Sequence, residues 1–241
     1  KVIVNGAKGK MGAMTVDTVK AAEGLALVGA LDINDDLKKS IEDNKPDVVI
    51  DFTHPSCVKE NTLTVLNCNC RPIIGTTGLS ENDLDEIAAL SKEKGLGTLV
   101  IPNFAIGAVL MMKFAKEAAK HMPRVEIIEW HHDKKADSPS GTAIKTAEVI
   151  YESNNDVNKE ELVEKEIIVG TRGGEKNNIP IHAVRLPGYV ASQEVIFGGL
   201  AQTLKIRHDT ISRESFMPGV VLCAKKIQDI TGLVYGMENI I

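Results

Sequence analysis

The densest run of reactive side chains is Glu129-Trp130-His131-His132-Asp133-Lys134-Lys135-Ala136-Asp137, continuing into Ser138-Pro139-Ser140-Gly141-Thr142-Ala143. Histidine is a proton donor near neutral pH, and lysine is a compact cation for an anionic substrate. The Ser140-Gly141-Thr142 end of the run opens a predicted helix. Its free first-turn N–H groups and hydroxyls suit a carboxylate. The chemistry on offer is proton transfer to a bound acid. Two other readings compete with it. Adjacent histidines can signal a metal site, but neighbours on a strand point to opposite faces and chelate one ion poorly. A solvated basic loop is the plainer alternative.

A second group of residues binds without reacting. Gly6-Ala7-Lys8-Gly9-Lys10-Met11-Gly12 has the form G-x-x-G-x-x-G between a predicted strand and a predicted helix. Glycines permit the tight turn and let backbone approach a pyrophosphate, and the helix start adds free N–H groups. Asp32 stands 20 positions past Gly12, where a carboxylate accepts from ribose hydroxyls and repels a 2′-phosphate. The next residue is Ile33, not arginine. NADH is therefore expected to serve at least as well as NADPH, with Lys8 and Lys10 the groups that would still attract an extra phosphate. Three more loops follow predicted strands: Phe52-Thr53-His54-Pro55, Gly75-Thr76-Thr77-Gly78 and Pro102-Asn103-Phe104. Singly each is only a turn. Together they form a rim for the nicotinamide half of the cofactor.

The elements that must position these groups follow from apolar patterning. Residues 2–5, 26–31, 48–52, 73–76 and 99–101 are short continuous Val/Ile/Leu runs, as in strands buried on both faces of a parallel sheet. Amphipathic stretches alternate with them. Met11, Thr15, Val19 and Ala22 share one helical face, residues 56–67 follow Pro55, and Ser80 to Asp83 has capping-box spacing. That rhythm predicts an α/β, Rossmann-type parallel sheet. Beyond residue 102 it changes. Helices are expected at 106–120 and 142–151, with strands at 125–131, 167–169, 179–186, 194–197 and 203–208 in an α+β domain with a mixed or antiparallel sheet. Residues 152–166 are strongly charged and expected to form a solvated helix or loop. A last helix near 213–228 returns to the first domain. The predicted layout is a dinucleotide-binding domain of residues 1–102 and 213–241, with residues 103–212 inserted as a substrate-binding and oligomerisation domain.

Bulk composition narrows the partners. The 241 residues carry 28 Lys and Arg against 33 Asp and Glu, a net charge of −5 that argues against nucleic acid or an anionic membrane. Aromatics make up 4%, too few for a base-stacking surface. No apolar run approaches a membrane span and no export leader is evident. The cysteines at 57, 68, 70 and 223 form no C-x-x-C pair, so reduced thiols in the cytoplasm are expected.

The stretch E-W-H-H-D-K-K-A-D-S-P-S-G-T-A resembles the signature of the dihydrodipicolinate reductase (4-hydroxy-tetrahydrodipicolinate reductase) family. The resemblance runs on through residues 6–12, Asp51-Phe52-Thr53, residues 75–78, Asn103-Phe104, Arg172-Gly173-Gly174 and Ser212-Arg213, covering nearly the whole chain. It implies His131 as proton donor and Lys135 as the second catalytic residue, binding substrate and assisting protonation. His132, Gly141 and Thr142 match the carboxylate site, where Ser140 also falls. Gly6, Ala7, Lys8, Gly9, Lys10, Met11, Asp32, Gly75, Thr76, Thr77, Pro102, Asn103, Phe104 and Ala105 match cofactor contacts, which Phe52 and Thr53 join from the rim. The implied reaction is NADH- or NADPH-dependent reduction of a small cyclic dicarboxylate in diaminopimelate and lysine biosynthesis, by a homotetramer without a metal. Three features depart from the family pattern. The stretch from Asp32 to Asp47 is short, Ile33 stands where some members carry arginine, and Trp130 fills a position that is often small or aliphatic. A different two-domain amino-acid or semialdehyde dehydrogenase would share the first domain but not the catalytic run. A dinucleotide sensor would keep the glycine loop without turnover.

Overall fold

The computed structural model describes residues 1–159 and 165–241. The chain divides into two compact units, one of Lys1–Ile106 with Arg213–Ile241 and one of Gly107–Ser212.

In the first unit strands and helices alternate: β1 (Val2–Asn5), α1 (Lys10–Ala21), β2 (Leu27–Leu31), α2 (Leu37–Asn44), β3 (Val48–Asp51), α3 (Val58–Asn67), β4 (Arg71–Ile74), α4 (Glu81–Lys94) and β5 (Gly97–Val100). Every residue of β1, β3 and β5 is buried, which is why these strands read as unbroken apolar runs. α4 starts on the predicted capping box. Ser80 Oγ accepts from Asp83 N–H and the Asp83 carboxylate accepts from Ser80 N–H at 3.0 Å, an arrangement worth about 1 kcal/mol.

The sheet has six parallel strands where five were expected. The sixth comes from the far end of the chain. Past the inserted unit, α7 (Met217–Lys226) packs on α1, and β11 (Gly232–Tyr235) pairs with β5, giving the order β11-β5-β4-β3-β1-β2. Only Leu233 and Val234 mark β11 as apolar, and two flanking glycines masked it. Strand order reverses between β1 and β3, and ligands of such sheets bind beyond the carboxyl ends of the strands at that point.

The second unit holds α5 (Ile106–Ala118), β6 (Arg124–His131), α6 (Gly141–Ser153), β7 (Gly174–Lys176), β8 (Ile179–Arg185), β9 (Ala191–Gly199) and β10 (Gln202–Thr210). Its sheet is ordered β10-β9-β6-β8-β7, with β6 parallel to β8 and the other pairs antiparallel. Along β6 the side chains alternate. Val125, Ile127 and Glu129 are buried on the face covered by α6, where Gln193 Nε2 donates to Thr146 Oγ1 at 2.8 Å. Glu126, Ile128 and Trp130 lie on the opposite, half-exposed face.

The strand expected at 167–169 is not formed. Ile167, Ile168 and Val169 sit in a turn and are exposed. The Glu166 carboxylate accepts from the N–H groups of Gly170 and Arg172, each at 2.9 Å, and this bends the backbone away from a ladder. Of the charged stretch 152–166, α6 takes the start. Asn158 is tied to β6 through Val125 N–H at 3.0 Å and Val125 C=O at 2.7 Å, and residues 160–164 lie outside the described residues. Among the described residues no helix is long and apolar enough to cross a membrane.

Candidate active site

The glycine loop leaves β1 at Asn5. Gly6 has φ +83° and a Cβ there would lie 2.4 Å from the Phe52 carbonyl oxygen, while a Cβ on Gly12 would lie 2.0 Å from that of Gly6. Both positions therefore exclude any side chain, and the loop is pressed against the β3 loop. Ala7, Lys8, Lys10 and Met11 complete the turn into α1. Gly9 caps that helix without a side-chain acceptor, so its first-turn N–H groups remain available. This cradle of backbone donors fits a dinucleotide pyrophosphate. Asp32 stands beside it at the end of β2, its two oxygens accepting from Lys8 N–H at 2.8 Å and Ile33 N–H at 3.0 Å. Those backbone bonds, that from Ile33 first, hold the carboxyl below its ordinary range. Ile33 is 92% exposed beside it.

The rim at the carboxyl ends of β3, β4 and β5 is organised by a residue that sequence patterning left without a role. Asp51 is buried and accepts from Asn5 Nδ2 (3.1 Å), Asn61 Nδ2 (3.0 Å), Thr53 Oγ1 (2.7 Å) and Thr76 Oγ1 (2.7 Å). It thereby fixes both rim threonines. Gly75 is wedged between Phe52 and Phe104, whose rings lie 5.5 Å apart, since a Cβ on it would fall 2.2 Å from the Phe52 ring. Thr77 is exposed. Pro102 and Asn103 follow β5, Asn103 Oδ1 accepts from Ala105 N–H at 2.8 Å, and Phe104 and Ala105 are buried.

In the second unit β6 ends at His131, which is still paired with Ala191 and Arg185 on the flanking strands, so His132 is the first residue beyond the strand. Glu129, two residues before His131, points the same way and is completely buried. It accepts from His131 Nδ1, from Arg185 Nη1 and Nη2 at 2.8 Å each, and from the Ser140 N–H at 3.2 Å. Burial pushes the Glu129 carboxyl up, but the bonds and charges of His131 and Arg185 outweigh it and hold the group at about 2. An ionised carboxylate only accepts, so His131 Nδ1 carries hydrogen and Nε2 is the nitrogen left to exchange a proton.

Arg185 joins this core to the following loop by donating to the Asp137 carbonyl at 2.9 Å. Asp137 in turn holds Lys135, whose Nζ lies 2.6 Å from both carboxylate oxygens. Ser140 caps α6 by accepting from Ala143 N–H at 3.2 Å, which leaves its O–H free to donate. The N–H groups of Gly141 and Thr142 carry no hydrogen-bond partner among the described residues. His131, Lys135 and the start of α6 are thus drawn together through Glu129 and Arg185, and His132 adjoins them in sequence. The role of Glu129 was legible in its spacing from His131. Arg185 had no local signal, since only the β6–β8 register brings it there. Trp130 points away, its ring stacked on Tyr189 at 6.3 Å and covered by the Arg207 guanidinium at 4.7 Å. No group of three or more potential metal ligands occurs among the described residues.

A dinucleotide-type parallel sheet, joined in one chain to an α+β unit carrying a histidine–lysine site, defines a nicotinamide-dependent oxidoreductase. Models of the N-terminal and C-terminal parts of dihydrodipicolinate reductase match residues 1–104 and 107–241. The chain belongs to the dihydrodipicolinate reductase family. The 4-hydroxy-tetrahydrodipicolinate reductases of Lysinibacillus sphaericus and Syntrophomonas wolfei are 47% and 49% identical to it, over the whole chain and 99% and 98% of their own lengths. A solved structure of a dipicolinate-bound dihydrodipicolinate reductase from Paenisporosarcina superposes with a TM-score of 0.94 at 43% identity, covering 100% of this chain and 98% of that one. A probable dehydrogenase from Thermotoga maritima, at 12% identity and TM-score 0.60, shares the fold alone.

Proposed function

We propose that the protein reduces 4-hydroxy-tetrahydrodipicolinate to tetrahydrodipicolinate with NADH or NADPH, a step of diaminopimelate and lysine biosynthesis. The observation that carries the residue roles is the buried Glu129, which binds His131, Arg185 and the start of α6 at once. A reduced nicotinamide dinucleotide on the glycine cradle supplies the hydride. Lys135 and the free N–H groups of Gly141 and Thr142 hold the substrate carboxylates, with His132 beside them. The 4-hydroxyl leaves as water before or during the reduction, and His131 Nε2 delivers a proton to the carbon next to the reduced one, so that charge does not accumulate. The test is loss of NADH absorbance with substrate generated from pyruvate and aspartate semialdehyde by the preceding synthase. Rapid oxidation that depends on the synthase is expected. Folded protein that binds NADH without oxidising it would overturn the assignment.

The anchored Asp32 supports NADH as at least as good a donor as NADPH. Asp32→Ala removes both the ribose acceptor and the repulsion of a 2′-phosphate. It should move the NADPH/NADH ratio of kcat/KM by about tenfold toward NADPH. A ratio unchanged by the substitution removes Asp32 from cofactor selection.

The half-exposed face of the second sheet supports a homotetramer built through that sheet. Trp130, Ile128 and Ile196 lie there among the ion pairs Arg172–Glu126 and Arg207–Asp209. Light scattering should give the mass of four chains, and a monomer at micromolar concentration would refute it.

A further inference from the structure

Lys135, the proposed clamp for a substrate carboxylate, already holds a carboxylate. Both Asp137 oxygens lie 2.6 Å from its Nζ, with the Lys135 side chain 19% exposed and that of Asp137 66%. Both terminal nitrogens of the neighbouring Arg185 are engaged elsewhere. Arg185 spends Nη1 and Nη2 on Glu129 and uses the same nitrogens for the carbonyls of Val184 and Asp137. The backbone of Asp137 is therefore pinned by Arg185 while its carboxylate reaches Lys135 from the solvent side.

We propose that Asp137 is an internal stand-in for a substrate carboxylate, clasping Lys135 in the free protein and yielding it when a dicarboxylate binds. The inference rests on the reading of Lys135 as a substrate-binding residue. The exchange replaces one lysine–carboxylate pair by another, and the released Asp137 carboxylate passes into water, where hydration compensates it. The exchange is therefore inexpensive for the protein. In the meantime the clasp keeps Lys135 extended toward the site and leaves the charges of Glu129, Arg185, Lys135 and Asp137 balanced. A single carboxylate gains little by displacing Asp137. A ligand with a second carboxylate for the start of α6 gains on both, so the clasp favours dicarboxylates over monocarboxylates.

The test is dipicolinate binding by calorimetry in a double-mutant cycle. Asp137→Asn removes the competing charge and should lower the dipicolinate Kd roughly two- to fivefold, the range for a solvent-exposed ion pair. Lys135→Ala should raise it, and adding Asp137→Asn to Lys135→Ala should then change nothing further. Asp137→Ser serves as a second variant with the same expectation. A Kd unchanged or raised by Asp137→Asn overturns the stand-in, because a merely structural Asp137 would weaken binding when lost. An equal gain in the absence of Lys135 also overturns it, since that is general repulsion of an anion. If Lys135→Ala alone leaves the Kd unchanged, the reading of Lys135 fails first and the stand-in falls with it.

Discussion

Replacing His131 by glutamine lowers kcat by about a hundredfold to ten-thousandfold, the range that a positioned general acid contributes, and leaves NADH affinity within about twofold. The two halves of this expectation come from different parts of the molecule. His131 belongs to the second unit, and its Nδ1 is engaged by Glu129. The residues proposed to hold the dinucleotide all lie in the first unit. Glutamine keeps a polar side chain of similar reach but cannot give up a proton near neutral pH. A solvent isotope effect on kcat should accompany the loss as protonation becomes limiting. A variant with undiminished kcat would remove His131 from the chemistry. A large loss of NADH binding would instead mean that the substitution had damaged more than proton delivery.

The second large effect belongs to Glu129→Gln, which should act on turnover and stability together. Glutamine can present its amide N–H to His131 Nδ1 and so favour the tautomer with hydrogen on the wrong nitrogen. A kcat loss on the order of a hundredfold is expected. The same change leaves the Arg185 guanidinium, 19% exposed, without its counter-charge, at a cost of about 3–5 kcal/mol. The pH dependence has a definite sign. The Glu129 carboxyl is held at about 2 in the folded protein against 4.5 for the ordinary group. The folded form therefore binds fewer protons in that interval. The stabilisation is complete above about pH 4.5 and is lost as pH falls toward 2, a contribution on the order of 3 kcal/mol. Denaturant unfolding at pH 7 and pH 3 measures it. Wild type should lose this increment on acidification, and Glu129→Gln, lower at pH 7, should lack it. Parallel acid losses in the two proteins would show that Glu129 is not the group responsible.

Legibility in the sequence followed the range of the interactions. β1, β3 and β5 were readable because a strand buried on both faces leaves an unbroken apolar run. The glycine loop and the Ser80 capping box were readable because their chemistry is complete within seven and four residues. The candidate catalytic run was readable for the same reason. Asp51 and Arg185 were not, because each acts through partners supplied by distant strands and helices. Ile167 to Val169 misled because three apolar residues suggest a strand, whereas the Glu166 carboxylate gathers the N–H groups of Gly170 and Arg172 just beyond them and turns the chain back. Ser140 was read as a carboxylate ligand from its place at a helix start, and in the structure its oxygen also accepts the cap bond from Ala143 N–H.

The sixth strand of the first sheet bears on how the molecule is made. During synthesis β1 to β5 leave the ribosome first, yet α1 lacks α7 until Met217–Lys226 has emerged, and β5 keeps an open edge until Gly232–Tyr235 follows. The inserted unit, Gly107–Ser212, is by then complete. The part of the chain translated earliest is therefore finished last. Until β11 emerges it presents an unpaired parallel edge of the kind that invites wrong pairing, a hazard that grows with slow translation past residue 212.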